Sequence, residues 1–268
     1  MREDFLFRYT TLGVGGKTRI FVAEKPEELC ECNSVILGGG SNVLAGERNL
    51  PDFIINRVEG AEFSAEKVTA YSGEKLSRIC ARATLSGLGG LEWAWGLPGT
   101  LGGAIVGNAG ANGSDISSLV NSVTVSRSGN VINLTRVECG FRYRGSGFLP
   151  GDVIISAELN LLKRHFSEIE KNLKKAKQTR ARQPKGKSAG CTFKNPPGLS
   201  MGKIIDQLGL KGQRIGGAKI SEKHANFIVN DCGASSADVY ELINLIEQKT
   251  ESAFGFIPER EIKIFGDF

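Results

Sequence analysis

Gly96-Leu97-Pro98-Gly99-Thr100-Leu101-Gly102-Gly103-Ala104, followed by Asn108-Ala109-Gly110, is the stretch on which the reading of this chain turns. Its glycines leave no Cβ where a pyrophosphate or a flat ring would press on the backbone, and its Thr and Asn place hydrogen-bonding groups between them. Outward from it the pattern recurs as Gly13-Val14-Gly15-Gly16 and Leu37-Gly38-Gly39-Gly40-Ser41-Asn42. An isolated glycine pair is usually a tight turn, whereas this many runs interleaved with Ser and Asn point to a bound anionic nucleotide. The familiar nucleotide fingerprints do not fit. P-loop endings at Gly16-Lys17-Thr18 and Gly186-Lys187-Ser188 would need their first glycine at Thr11 and Ala181. A G-x-G-x-x-G run from Gly13, Gly38 or Gly87 would need its last glycine at Thr18, Val43 or Glu92. A dinucleotide, if bound, is held another way.

The rest of the chain narrows the class. With 268 residues, 40% of them hydrophobic and 24% charged, it can bury a sizeable core. At roughly 150 residues per domain, about two domains are expected. The 35 glycines follow no G-X-Y period, which excludes collagen. The most apolar stretch, Leu97 to Ala111, is too short and too glycine-rich to span a bilayer. The opening MREDFLFRYT mixes acids and bases before any apolar run, unlike a signal peptide, so a cytosolic protein is expected. Cys30, Cys32, Cys80, Cys139, Cys191 and Cys232 form no C-x-x-C pair and read as free thiols. His165 and His224 alone cannot build a histidine metal centre. The net charge of +5 is concentrated in residues 163 to 187, which hold ten Lys/Arg against two Glu. Most of those lysines read as the solvated face of a helix that packs on Phe166, Ile169 and Leu173. Arg180 and Arg182 differ, because they sit beside Gln183-Pro184, where a helix stops and an anionic ligand can be met. Nucleic acid is not expected, because no aromatic platform is interleaved with these bases.

Strands are predicted over Lys17 to Ala23, Val35 to Leu37, Phe53 to Val58, Val68 to Tyr71 and Asp152 to Leu162. A further strand lies near Phe227 to Val229 and another over Glu261 to Phe265. Val123 to Val125 and Val131 to Leu134 flank Ser128-Gly129-Asn130 as a hairpin. Helices are predicted over Pro26 to Glu31, over Glu74 to Leu85 with Leu76, Ile79, Cys80 and Ala83 on one face, near Met201 to Leu208, and from Ser236. The last carries Val239, Leu242, Ile243 and Ile246 at helical spacing, and Ser235 with Asp238 reads as a capping box. No βαβ rhythm or repeat is present, so the class is α+β.

In order along the chain, GVGG, LGGGSN, GLPGTLGGAIVGNAG, FRYRGS, SAGCTFKNP, SEKHANFIVN and EIKIFG resemble the bacterial UDP-N-acetylenolpyruvoylglucosamine reductases, nearly end to end. The resemblance implies two small α+β regions of the flavoprotein-oxidase (PCMH-type) fold that clasp FAD, residues 1–57 with the closing strand 261–268, and residues 58–185. It also implies a C-terminal α+β substrate domain over 186–260. FAD would be noncovalent, with NADPH as hydride donor and UDP-N-acetylglucosamine enolpyruvate as acceptor. Carried onto this chain, Gly38, Gly39, Gly40, Ser41, Asn42, Pro98, Gly99, Thr100, Gly103 and Ala104 would wrap the FAD pyrophosphate. Asn108 and Gly110 would lie beside the ribityl chain and the flavin ring.

The same resemblance implies the catalytic set. Arg144 falls on the family's arginine, although Gly145 stands where the family carries Asp. Its planar fork suits a carboxylate gaining enolate character. Cys191 falls on the proton donor, where serine is commoner; a thiol is the stronger acid of the two. Glu261 falls on the glutamate that assists proton delivery, with Glu259 as the competing choice. Arg180, Arg182, Asn195 and His224 would meet the substrate. No tyrosine lies between Cys191 and Asp231, so the chain resembles the family's shorter type, which lacks a tyrosine-bearing loop. A monomer is expected, with oligomers left open. The alternatives are a flavin oxidase of the same fold and a non-catalytic nucleotide- or RNA-binding module.

Overall fold

The structure, a computed structural model, describes residues 1–29 and 34–268. They form two compact units: a middle unit of Phe21–Gly39 and Phe53–Ala181, and a terminal unit of Met1–Ile20, Gly40–Asp52 and Arg182–Phe268. Cys30, Glu31 and Cys32 lie outside the described residues, so the helix expected over 26–31 is represented by a single 3-10 turn, Pro26–Leu29.

The middle unit is built on an antiparallel sheet with the strand order Asn130–Thr135, Val120–Arg127, Val153–Asn160, Lys67–Tyr71, Ala61–Ser64. Ser128 and Gly129 alone turn the hairpin, at φ 51° and 79°, the two left-handed residues whose twist matches the flanking strands. Helix α1 (Leu76–Leu85) buries the expected Leu76, Ile79, Cys80 and Ala83 against Val68, Val123 and Leu159. Helix α2 (Leu101–Val106) opens at Thr100, whose hydroxyl accepts the Gly103 N–H. Val35–Leu37 pairs in parallel with Phe53–Asn56, and a smaller cluster of Ala23, Leu29, Ile54, Val58 and Val153 packs there.

Helix α3 (Phe166–Ala181) buries Ile169 and Ala176 and leaves Leu173 half-buried. Phe166, expected on the same face, is 63% exposed. Helical side chains lean back over the preceding turn. Phe166 is the first residue of α3 and has no preceding turn to cover.

In the terminal unit Arg2–Phe5 pairs antiparallel with residues 17–20. A second antiparallel sheet runs Lys187–Cys191, Phe227–Asn230, Ala218–Ile220, Arg214–Ile215. Helices α4 (Met201–Gln207) and α5 (Ser236–Phe254) bury Met201, Ile204, Ile205, Val239, Leu242, Ile243 and Ile246 with Ile220 and Ile228. The capping box of Ser235 and Asp238 is formed, and the Ser235 N–H, with that of Gly217, holds the Asp238 carboxyl below the usual carboxylate range. Val43–Ala45 pairs in parallel with Lys263–Phe265. The last strand thus begins at Lys263 and not at Glu261, because the N–H groups of Glu261 and Ile262 both turn to the Thr192 carbonyl, at 2.8 and 3.2 Å.

Candidate active site

In the middle unit two glycine runs meet backbone to backbone. A Cβ on Gly38 would fall on the Thr100 hydroxyl, and one on Gly39 would stand 2.8 Å from Gly99 Cα. The missing side chains therefore serve first to let these loops touch. The first N–H groups of α2 are committed inside the unit, Leu101 to the Glu74 carbonyl and Gly102 to the Ser72 carbonyl, both at 2.8 Å. Pro98 and Gly103 are exposed and Ala104 is buried.

Asn108 is buried, with φ 40°. Its Oδ1 accepts the Ser117 N–H at 3.2 Å and its Nδ2 donates to the Arg142 carbonyl at 3.0 Å. It thereby ties down the tight Arg142–Gly145 turn, in which each end bonds the other. Arg144 sits inside that turn at φ 52°, a conformation costly for a side chain other than glycine and concentrated at functional sites. Its Nη2 donates to the Gly110 carbonyl at 2.9 Å, and the guanidinium lies over the Tyr143 ring. Asn108, Gly110 and Arg144 are thus one local assembly. Arg180 donates from Nε and Nη2 to the Gly96 carbonyl at 3.0 and 2.8 Å, and burial lowers its pKa.

In the terminal unit the structure brings Asn42, Cys191 and Glu261 into one region. Cys191 ends its strand, half-buried, opposite Phe227. The next residue, Thr192, holds the Glu261 backbone as described above. Asn42 Nδ2 donates to the Glu261 carbonyl at 3.0 Å, and the Asn42 carbonyl accepts the Lys263 N–H at 3.0 Å. Gly40 has φ 58° and a Cβ there would collide with the Tyr9 carbonyl, so only glycine fits. Ser41 is half-buried next to it. Glu259, the competing glutamate, is exposed and paired with Lys194 at 2.6 Å.

Asn195 and His224 both lie at the start of α4. Asn195 Oδ1 accepts the Met201 N–H at 2.9 Å, and a Cβ on Gly202 would stand 3.2 Å from His224 Cε1. Burial holds the His224 ring below its usual pKa, and its buried Nδ1 has no hydrogen-bond partner among the described residues. Arg182 is exposed. Burial pushes the Cys80 thiol up to about 12 and that of Cys139 up to about 11, which keeps both protonated and inert. Among the described residues no group of His, Cys, Asp and Glu is placed to hold a metal, and no helix is long and apolar enough to cross a membrane.

Asn226 escaped the sequence reading. It lies inside the quoted SEKHANF run, and the signal was an amide between Ala225 and Phe227 in an otherwise apolar, buried strand entry.

This architecture is an FAD-binding α+β oxidoreductase fold, and residues 30–135 match the sequence model of an FAD binding domain. Residues 182–265 match that of the UDP-N-acetylenolpyruvoylglucosamine reductase C-terminal domain. The chain belongs to the UDP-N-acetylenolpyruvoylglucosamine reductase family. It is 39% identical over 246 residues to the reductase of Thermus thermophilus, covering 90% of this chain and 92% of that one. With the reductase of Chlamydia abortus it shares 38% over 280 residues, 98% of this chain and 93% of the relative. The crystal structure of the Thermus caldophilus reductase superposes with a TM-score of 0.89 at 35% identity, over 98% of each chain. Exposed Gly39 and half-buried Gly38 and Gly99 carry no side chain, so their backbone is open to an anionic group such as the FAD pyrophosphate.

Proposed function

We propose that the chain reduces UDP-N-acetylglucosamine enolpyruvate to UDP-N-acetylmuramate, with FAD as cofactor and NADPH as reductant, in the synthesis of peptidoglycan precursors. The observation that carries the reading is the Thr192 carbonyl, which holds the Glu261 backbone one residue from Cys191 and so unites two chemically apt groups distant in sequence. FAD, when bound, would supply the redox chemistry, carrying two electrons between NADPH and the enolpyruvyl group.

The chain's own residues do the rest. Gly38, Gly39, Gly40, Ser41, Asn42, Pro98, Gly99, Thr100, Gly103 and Ala104 would hold FAD noncovalently, as the family resemblance implies. Asn108 and Gly110 would lie beside the ribityl chain and the flavin ring, while also fixing the Arg144 turn. Arg144 neutralises the substrate carboxylate as charge builds on it, where a positive, planar donor stabilises the transition state most. Cys191 gives its proton to C2, and Glu261 supports that delivery. Arg180 and Arg182 answer the substrate's phosphates, Arg180 while clamped on the loop at Gly96. Asn195 and His224 serve the sugar end from the start of α4. Residues 186–260 form the substrate domain, with 1–57 plus 261–268 and 58–185 as the FAD regions. The enzyme works in the cytosol, as a monomer or an oligomer.

Product analysis tests the activity: with NADPH and substrate, mass spectrometry should find the substrate gaining two hydrogens. Initial-rate lines should be parallel, as for two ligands used in turn. Absence of the product would contradict the reading.

A further inference from the structure

The pairing of Lys187–Cys191 with Phe227–Asn230 shifts register between Ser188 and Cys191, and its last rung is Cys191 opposite Phe227. Beyond a ladder's end the chain is normally free to diverge. Here it is held. The Thr192 N–H donates to the Asn226 carbonyl at 2.8 Å. The Asn226 side chain then takes both hydrogen-bonding groups of Phe193, its Oδ1 accepting the Phe193 N–H at 3.0 Å and its Nδ2 donating to the Phe193 carbonyl at 2.8 Å. A primary amide has the donor and acceptor of a peptide group, so the side chain acts as an added rung. Asn226 is 2% exposed and Phe193 1%, so water does not replace a lost bond there.

The hold reaches further. Thr192, pinned on its N–H by Asn226, uses its carbonyl to receive the Glu261 N–H. Phe193 and Arg260 form a bridge alongside, and Arg260 is anchored in turn by both carboxylate oxygens of Glu247. Each polar atom of the Asn226 side chain is thus engaged with Phe193, leaving only the second Nδ2 hydrogen and the second Oδ1 lone pair.

We infer that Asn226 is a positioning residue for the substrate half-reaction: its amide fixes the Cys191–Phe193 segment, and through Thr192 the backbone of Glu261. The inference rests on the proton-delivery roles proposed above for Cys191 and Glu261. A misplacement near 1 Å of a catalytic group is enough to slow a reaction by about 100-fold.

The test uses the holoenzyme and follows each half-reaction separately in anaerobic stopped-flow, with Asn226→Asp, Cys191→Ala and the double variant. Asp keeps the size of Asn and an acceptor for the Phe193 N–H but cannot donate to the Phe193 carbonyl when ionised. Asn226→Asp should leave the NADPH half-reaction within about twofold and slow the substrate half-reaction by about 10- to 100-fold. On the Cys191→Ala background it should add less than about threefold, the non-additivity of groups acting as a unit. Alkylation of Cys191 by iodoacetamide, read by peptide mass spectrometry, should change in rate in Asn226→Asp. If Asn226→Asp does not accumulate folded, Asn226→Ser takes its place with the same readouts. An unchanged substrate half-reaction, equal losses in both half-reactions, or full additivity with Cys191→Ala would overturn the positioning role. If Cys191→Ala alone runs at the wild-type rate, the proton-donor reading itself has failed, a distinct outcome that also removes the inference.

Discussion

The glycine surface of the middle unit and the Cys191–Glu261 segment of the terminal unit are built by opposite means. The first comes from residues close together in each run, Gly38-Gly39 and Gly99-Thr100, whose contact needs the absence of side chains on the three glycines. The second is held by amide side chains that reach across the chain, Asn226 to Phe193 and Asn42 to Glu261. Steric closeness tolerates no added atom but needs no particular chemical group. Hydrogen-bonded positioning tolerates little change of group and keeps reactive side chains where a small displacement matters. Damage to the first region should therefore appear as lost stability and cofactor content. Damage to the second should appear in one half-reaction.

The largest effect that would sharpen this contrast is expected at Cys191. Cys191→Ala should slow the substrate half-reaction by about 100- to 10,000-fold, the range for loss of a general acid, while the NADPH half-reaction persists. Cys191→Ser should restore much of the rate. Next comes Arg144→Lys, which keeps the charge but loses the planar fork; about a 10- to 100-fold loss in the substrate half-reaction alone is expected. Equal loss in both half-reactions would erase the proposed division of labour.

Gly39→Ala belongs to the other side of the comparison. Its Cβ would stand 2.8 Å from Gly99 Cα, a backbone atom that cannot swing away. Overpacking of this kind costs about 1–3 kcal/mol, a fall of roughly 5 °C in Tm for a chain of this size, with reduced yellow FAD absorbance after purification. A variant that melts and binds FAD like the wild type would break the comparison.

The smallest effect is at His224. Desolvation by burial, with a contribution from Lys211, holds the folded ring below its ordinary pKa. The unfolded ring takes up its proton first, near roughly pH 6.5, so folding stability falls as pH drops through that value toward the folded pKa. His224→Gln should flatten the decline in Tm over that acid window; an unchanged slope would show that the ring carries no such linkage.

Periodic and punctuated features were legible in the sequence: the apolar faces of α1 and α5, the Ser235–Asp238 capping box, the Ser128-Gly129 hairpin and the α+β class. End effects were not. Phe166 matched the helical period yet opens its helix, and Glu261 matched a strand yet bonds to Thr192 before the strand begins. In the site, residue types marked Arg144, Cys191 and Glu261 as candidates through their resemblance to a family. The use made of the polar residues around them was hidden, because it depends on contacts between distant segments. Asn42 was read against the FAD pyrophosphate and Asn108 beside the flavin; that each also binds backbone, Asn42 at Glu261 and Asn108 at Arg142, was not legible. Asn226 offered only a lone amide between Ala225 and Phe227, with nothing to show that it reaches Phe193.

The most direct measurement is an anaerobic two-step experiment on the purified holoenzyme. NADPH alone should bleach the yellow absorbance near about 450 nm expected of bound FAD. UDP-N-acetylglucosamine enolpyruvate, added after NADP has been removed, should restore the colour in step with formation of UDP-N-acetylmuramate. A protein that bleaches but recovers its colour only when air is admitted, with no product formed, would contradict the assigned reaction.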